Sequence, residues 1–437
     1  MRALRLVPSS FRAFGDQAFS RLSHLLLTET NYFRAGFAAS PDTMKFGAFA
    51  SLSHDTLAFV PYPLDRALSD LSVFPASTAE AVRRNRQALR DLTDAWIQAF
   101  PASPSVLETH ALVLEMLGAV APAGSPRRSA LDAVRLSRQL TRDSTQALRL
   151  AVMEARLLLK LEDFSGARAA LDSELAAFTD SRPEFAALLT GPALLLGHAH
   201  QAARLAPTGF ADSIMEFTVK EGRPVMDPAW MLLVYASAGR PRDSIVALHR
   251  RVEARIDTYV SPERREQTRS ATLDFAAAEA FSDYGITDRH REHSGRNYLL
   301  RAQYFAARGD VSAARAILDS LWTARREWRA SSLSIDGTFM EASLYTSIGD
   351  TTSAVRVLDI ALEGMLNLDP YTLAWITLPS NLVRAMVLRA RLAAALGDRT
   401  TAAKWASAVV TLWSGADAEF QSVVDSMRTL ASARGSR

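Results

Sequence analysis

The chain of 437 residues contains no cysteine, and this absence removes several classes of chemistry. Without thiols there is no disulfide, no cysteine nucleophile and no zinc site built on thiolates. Lysine is also scarce, so nearly all of the positive charge is arginine; the lysines are Lys45, Lys160, Lys220 and Lys404. The formal net charge is only +3, and charge this closely balanced does not predict a nucleic-acid partner.

Long apolar runs are missing as well. The longest segment without Asp, Glu, Lys or Arg covers residues 185–203, and Gly191, Pro192 and two histidines interrupt it. A helix needs about 20 mostly apolar residues to cross a bilayer, so we expect no membrane span in this sequence. The N-terminal stretch MRALRLVPSSFRAFGDQAFSRLSHLLL is charged and amphipathic, without an uninterrupted apolar core, so no secretory signal is predicted.

Motifs that carry catalysis are not found in the sequence. It has no Gly-x-Ser-x-Gly elbow, no glycine-rich phosphate loop, no His-Glu-x-x-His and no acidic calcium loop. His290 and His293 lie three residues apart with Glu292 between them, a pattern more typical of a solvated turn. His198 and His200 are predicted on opposite sides of a helix, which disfavours a shared metal ion. We therefore expect no enzyme activity, no cofactor and no metal site.

One short pattern occurs three times in the second half of the chain. The segments AARGDVSAARAILDSL (306–321), SIGDTTSAVRVLDIAL (347–362) and AALGDRTTAAKWASAVV (394–410) each contain Gly-Asp, with an alanine five residues after the glycine. We call these alanines the anchors of the repeats. Weaker copies are predicted at anchors that differ more from the pattern. The anchors are Ala314, Ala354 and Ala402, with weaker ones at Ala167, Ser244 and Ala202.

Further positions recur at fixed distances from the anchors. Twelve residues before them stand small residues, namely Ala155, Ala302, Ala342 and Ala390, and four residues after them stands a leucine in most copies. This pattern resembles the tetratricopeptide repeat (TPR) over residues of about 104–414. The resemblance implies an all-α, right-handed α-solenoid of helix–turn–helix units, each of which buries its apolar face against its neighbours. The glycine is expected to end the first helix in a left-handed conformation.

The same pattern divides the chain into three parts. Residues 1–76, with several prolines and aromatics, are predicted to form an irregular, partly helical N-terminal cap. Residues 77–414 are predicted to form the degenerate solenoid. Residues 415–437 are predicted to form a C-terminal capping helix followed by a frayed tail. No run with the two-residue period of a β-strand has a useful length.

The resemblance also implies a binding surface and a function. In TPR arrays the first helix of each repeat lines the concave groove, and the corresponding positions here are rich in arginine. A basic groove would hold an acidic or C-terminal carboxylate segment, although arginine is common throughout the chain. The primary hypothesis is therefore a non-catalytic protein–protein interaction scaffold. The groove candidates are Arg149, Arg156, Arg296, Gln303, Arg384 and Arg391.

A second resemblance lies near the C-terminus. The segment VVTLWSGADAEFQSVVDSM (409–427) is similar to the last part of TPR-bearing C-terminal regions in bacterial serine/threonine protein kinases. It implies, as an alternative, the sensor or regulatory arm of a kinase whose catalytic domain is absent here. A third alternative is the effector-binding module of a transcription regulator. If Met1 is the native start we expect a cytoplasmic protein, whereas for a fragment of a membrane kinase the compartment is open.

Overall fold

The computed structural model describes residues 100–177, 183–209, 227–260, 269–280, 298–327, 335–363 and 377–432, with isolated positions beside these ranges. The described residues are all-α and contain no strand. They form helix–turn–helix repeats in an α-solenoid, as the sequence predicts. The predicted cap at residues 1–76 lies outside the described part of the chain.

The chain divides into two compact units, and the first contains four of the helices whose bounds the structure gives. They are α1 (Pro104–Met116), α2 (Ala130–Leu140), α3 (Ser144–Lys160) and α4 (Phe164–Ala177). Helix α1 packs on α2, α2 packs on α3, and α3 packs on α4. Two successive hairpins therefore share one core, in which Leu107, Leu114, Leu131 and Leu157 are almost completely buried.

The second unit begins after residue 177 and extends to the C-terminus, apart from short segments that group with the first unit. The helices of each hairpin pack on each other, and in several neighbouring hairpins the first helices also pack on each other. Residues 269–274 form one turn of π-helix. The α-helices are α5 (Pro183–Leu195), α6 (Ala199–Gly209), α7 (Asp227–Ser237), α8 (Arg242–Tyr259), α9 (Phe275–Ala280), α10 (Tyr298–Ala307), α11 (Val311–Glu327), α12 (Ile335–Ser347), α13 (Thr351–Glu363), α14 (Thr377–Ala395), α15 (Arg399–Leu412) and α16 (Gln421–Ser432).

Five of the six anchors lie where the repeat pattern places them. Each is the fourth residue of the second helix of a hairpin and is almost completely buried; these are Ala167, Ala202, Ala314, Ala354 and Ala402. A methyl side chain at this position lets the two helices approach closely. The prediction is wrong by one residue at Ser244, which is exposed while Ile245 is buried. The turn Gly239-Arg240-Pro241 is one residue longer than the Gly-Asp turns, so the helix starts later.

In each Gly-Asp pair, the glycine ends the first helix and the aspartate caps the second. The glycines Gly309, Gly349 and Gly397 have φ of 76–78°, the left-handed conformation that ends a helix. At Gly349 the amide donates to the Thr346 carbonyl (3.1 Å), and the next amide, of Asp350, donates to the Tyr345 carbonyl (2.8 Å). The aspartate then caps the following helix, because its carboxylate accepts the amide of the third residue on. This bond measures 3.0 Å in each pair, Asp310 to Ala313, Asp350 to Ser353 and Asp398 to Thr401.

The Gly-Asp pattern does not identify the first described hairpin, α1–α2. Its second helix carries Ala133 as the fourth residue, fully buried like the other anchors. The two helices are joined by residues 117–129, which form the loop that the sequence AVAPAGSPRR indicates, instead of a two-residue turn. Here Ser129 caps α2 in place of aspartate, accepting the amide of Asp132 at 3.2 Å. Because the Gly-Asp signal is absent, the repeat cannot be found from it.

The second unit turns back on itself. Helix α14 packs on α5. Residues 413–419 also contact residues 195–200, and we call this second set of contacts the closure contact. The Trp413 indole Nε1–H donates to the Leu195 carbonyl (3.1 Å). The Asp417 amide donates to the Gly197 carbonyl (2.9 Å). The end of the repeat series is thus fastened to the first hairpin of the same unit.

Candidate interaction surface

In the first unit, two predicted groove arginines lie on one face of α3. Arg149 and Arg156 are seven residues apart, which corresponds to two turns. Both bind carboxylates of α1 with two hydrogen bonds each. Arg149 lies 3.2 and 3.1 Å from the carboxylate oxygens of Glu108, and Arg156 lies 3.0 and 2.6 Å from those of Glu115. These positions therefore hold carboxylates already, supplied by the preceding hairpin.

The two pairs differ in their exposure to solvent. The Arg149 side chain is 48% exposed, whereas the side chains of Arg156 and Glu115 are 8% and 0% exposed. Lys160 adds a second buried cation, with Nζ 2.8 Å from Glu115 Oε1. Arg149 is consequently within reach of a partner molecule, and Arg156 is part of the interior.

The environment of Glu115 favours its charged form. Burial alone raises the pKa of this carboxyl, but the adjacent charges and hydrogen bonds of Arg156 and Lys160 outweigh burial and lower the pKa to about 2. A buried carboxylate surrounded by two cations stays ionised, since its protonation would leave both cations without a counter-charge. This group of three residues holds α1 to α3.

In the second unit, Arg384 and Arg391 are also seven residues apart, on α14. Arg384 lies over the ring of Phe339 on α12, with its guanidinium carbon 4.1 Å from the ring centroid, and donates to Asn381 Oδ1 at 2.9 Å. Arg391 is exposed. Gln303 on α10 is buried, with only 8% of its surface exposed. Arg296 lies outside the described residues.

Sequence reasoning missed the acidic partners of the first unit. Glu108 and Glu115 are seven residues apart, like Arg149 and Arg156, and each glutamate precedes its arginine by 41 residues. That equal spacing, close to one repeat, is a signal the sequence contains. The spacing has no meaning until α1–α2 is known to be a repeat, and the Gly-Asp pattern does not reveal that.

The placement of two histidines differs from the prediction. His198 lies in the turn before α6, and His200 is the second residue of that helix, so the two do not share a helix. His200 is instead close to Asp417 and Glu419, which follow α15. Nothing in the local sequence indicates this proximity, because it depends on the closure contact.

No helix in the described part of the chain combines the length and apolar character needed to traverse a bilayer. No family model matches the chain, and no curated protein matches it significantly. Among the solved structures that match is the crystal structure of the TPR domain of P58(IPK), at 12% sequence identity and a TM-score of 0.24. This match covers 86% of the present chain and 99% of that chain.

Proposed function

We propose that this protein is a non-catalytic interaction scaffold whose groove arginines bind a partner segment that carries carboxylates. Helix–turn–helix repeats present a row of first helices side by side, which suits an extended or helical partner. The partner is an acidic segment or a free C-terminus, because arginine binds a carboxylate through two parallel hydrogen bonds.

The observation that carries the proposal is the pair of arginine–glutamate contacts in the first unit. Arg149 and Arg156 each hold a glutamate through two hydrogen bonds, which is the geometry that the proposal requires for a partner's carboxylate. The carboxylates that bind there belong to the chain itself. They illustrate the chemistry of these positions.

On α14, the position that corresponds to Arg156 is Arg391, which follows the small residue Ala390. The repeat pattern places no glutamate opposite it. Leu114 on α1 and Ala342 on α12 occupy the same position of their repeats. The next residue is Glu115 on α1 but Ser343 on α12. Serine cannot neutralise an arginine of the next repeat. Arg391 is therefore the groove arginine best suited to receive a carboxylate from outside, with Arg384 two turns away and held over Phe339.

The test compares two single substitutions in the full chain. Arg391→Glu reverses charge in the groove, and Arg399→Glu makes the same change at the exposed start of α15. A random peptide library with free C-termini is screened on the intact protein, and selected peptides are measured by fluorescence anisotropy. We expect acid-rich peptides whose binding weakens by about tenfold or more with Arg391→Glu and is unchanged with Arg399→Glu. Selection of peptides without acidic residues, or equal binding by both variants, would contradict the proposal.

Amidated copies of the selected peptides separate the two kinds of partner. If the partner provides a C-terminal carboxylate, amidation abolishes binding. If it provides side-chain carboxylates, amidation has little effect. Far-UV circular dichroism of both variants checks that the helices are intact.

A regulatory arm of a bacterial serine/threonine kinase is a second candidate. It is favoured by the segment 409–427, which spans the end of α15, the closure contact and the start of α16. A kinase reading frame fused upstream of this chain would support it. The effector-binding module of a transcription regulator is a third, and a DNA-binding domain in the same frame would favour it.

A further inference from the structure

The closure contact brings together three side chains that are typical metal ligands. His200, at the start of α6, meets Asp417 and Glu419, which follow α15 more than two hundred residues later. One potential ligand atom from each residue lies within 4.8 Å of the others. His200 Nε2 is 2.8 Å from Glu419 Oε1. Three potential donors therefore lie close enough together to surround one small cation after small movements of their side chains.

The donor set indicates the class of metal. An imidazole nitrogen with two carboxylate oxygens suits zinc and neighbouring divalent transition ions, whereas magnesium and calcium prefer oxygen ligands alone. Two ligands bound at about 2.0–2.2 Å from one tetrahedral zinc ion lie roughly 3.4 Å apart. The His200–Glu419 ion pair, at 2.8 Å, would therefore widen to admit an ion between its two atoms. The His200 and Glu419 side chains are 48% and 37% exposed, so an ion can reach them from solvent.

Hydrogen bonds hold together the two segments that carry the ligands, independently of any ion. The amide of His200 donates to Asp417 Oδ2 (2.8 Å), which leaves Oδ1 available, and the amide of Asp417 donates to the Gly197 carbonyl (2.9 Å). Trp413, only 4% exposed, holds the turn against Leu195. An ion would therefore bind between two segments that are already held together, without the entropy loss of ordering two loops.

We propose that His200, Asp417 and Glu419 bind a zinc-class divalent ion that fastens the closure of the second unit. The three protein ligands leave a further position for water. Because the ion joins two segments distant in the chain, its binding stabilises the closed arrangement over any state in which they separate.

The experiment uses the full chain after removal of metals with a chelator. Zn²⁺ is titrated by isothermal calorimetry, and Mg²⁺ is the comparison ion. His200→Ala removes the nitrogen ligand. His198→Ala, two residues away in the preceding turn, is the matched control, and the double variant His290→Ala/His293→Ala tests the histidine pair that the sequence alone singles out. The melting temperature is recorded with and without Zn²⁺.

We expect one Zn²⁺ per chain, a higher melting temperature with Zn²⁺, and no comparable effect of Mg²⁺. His200→Ala should lose both the binding and the shift, while His198→Ala and the double variant retain them. Glu419→Gln, which keeps a hydrogen-bonding side chain, should weaken binding severalfold. The proposal is overturned if the intact protein does not bind Zn²⁺, or if His200→Ala binds it as the intact protein does. Loss of binding in a control variant that remains folded would also overturn this ligand set.

Discussion

At the scale of single residues, Glu115 shows how the first unit uses its charges. The repeat pattern does not specify whether the side chain at this position is apolar, polar or charged. In the structure it is a completely buried carboxylate between Arg156 and Lys160. Sequence alone predicted Arg156 as part of an open basic surface. Its exposure could not be predicted, since it depends on the packing of α1 on α3. The groove assignment of the other arginines stays a prediction.

Removing this charge is expected to destabilise the protein strongly. Glu115→Gln leaves two buried cations without a counter-charge, at a loss of about 3–5 kcal/mol in the free energy of unfolding. Glu108→Gln, on the same helix and paired with the half-exposed Arg149, should lose less than about 1 kcal/mol. Urea unfolding followed by far-UV circular dichroism measures both. Similar losses for the two variants would show that burial of the Glu115 pair is not what distinguishes them.

The same carboxyl predicts a dependence of stability on pH. Its pKa in the folded protein, about 2, is lower than its ordinary value of 4.5, so the folded state binds the proton less readily than the unfolded state. The resulting stabilisation is complete above about pH 4.5 and is lost as the pH falls through about 2. The urea midpoint of the intact protein should therefore fall more steeply over this interval than that of Glu115→Gln. Parallel pH profiles would be inconsistent with this role.

At the scale of helices and turns, much could be predicted from the sequence. The anchors and the glycine that ends each first helix follow from short-range geometry, which local sequence encodes directly. The α1–α2 hairpin could not be predicted in this way because a longer loop replaces the Gly-Asp turn. The turn between α3 and α4 is a further variant: Glu162 stands at the glycine position, with φ of 57°.

Exchanging side chains at equivalent turn positions tests the role of the left-handed residue. Gly349→Ala introduces a Cβ that meets no atom within 4 Å, so its effect comes only from the backbone conformation, with φ of 78°. We expect a loss of about 1 kcal/mol, and a gain of up to about 1 kcal/mol for Glu162→Gly, measured by urea unfolding. Changes of the same sign in both variants would contradict this explanation.

At the scale of the second unit, the closure contact could not be predicted, because it has no counterpart in the repeat. Gly197 occupies the ordinary turn position of its repeat, and the sequence around Trp413 does not indicate a contact with Leu195. Only the stacking of successive hairpins brings the two segments together. A helical repeat fixes how neighbours pack. The small rotation between neighbours, which decides whether the series meets its own beginning, depends on many side chains at once.

Gly197 offers a test of the closure contact. A Cβ there would lie 2.5 Å from the Cβ of Ala416, whereas at Gly397, with a similar φ, it would meet nothing within 4 Å. Both alanine substitutions impose the same backbone strain. Gly197→Ala should therefore destabilise by about 1–3 kcal/mol more than Gly397→Ala. Hydrogen exchange by mass spectrometry should show faster exchange in α5, α6 and α16 with Gly197→Ala alone, and equal exchange in both variants would contradict this role.

The position of the closure contact also affects how the chain acquires its structure during synthesis. In an open array each hairpin needs only its neighbour, so folding can advance along the chain as it is made. Here α5 and α6 emerge from the ribosome about two hundred residues before Trp413 and Asp417. The surface of α5 and α6 that contacts Trp413 and Asp417 therefore stays exposed until synthesis is almost complete. Contacts between such distant residues also slow folding, since a long loop must be ordered before they form.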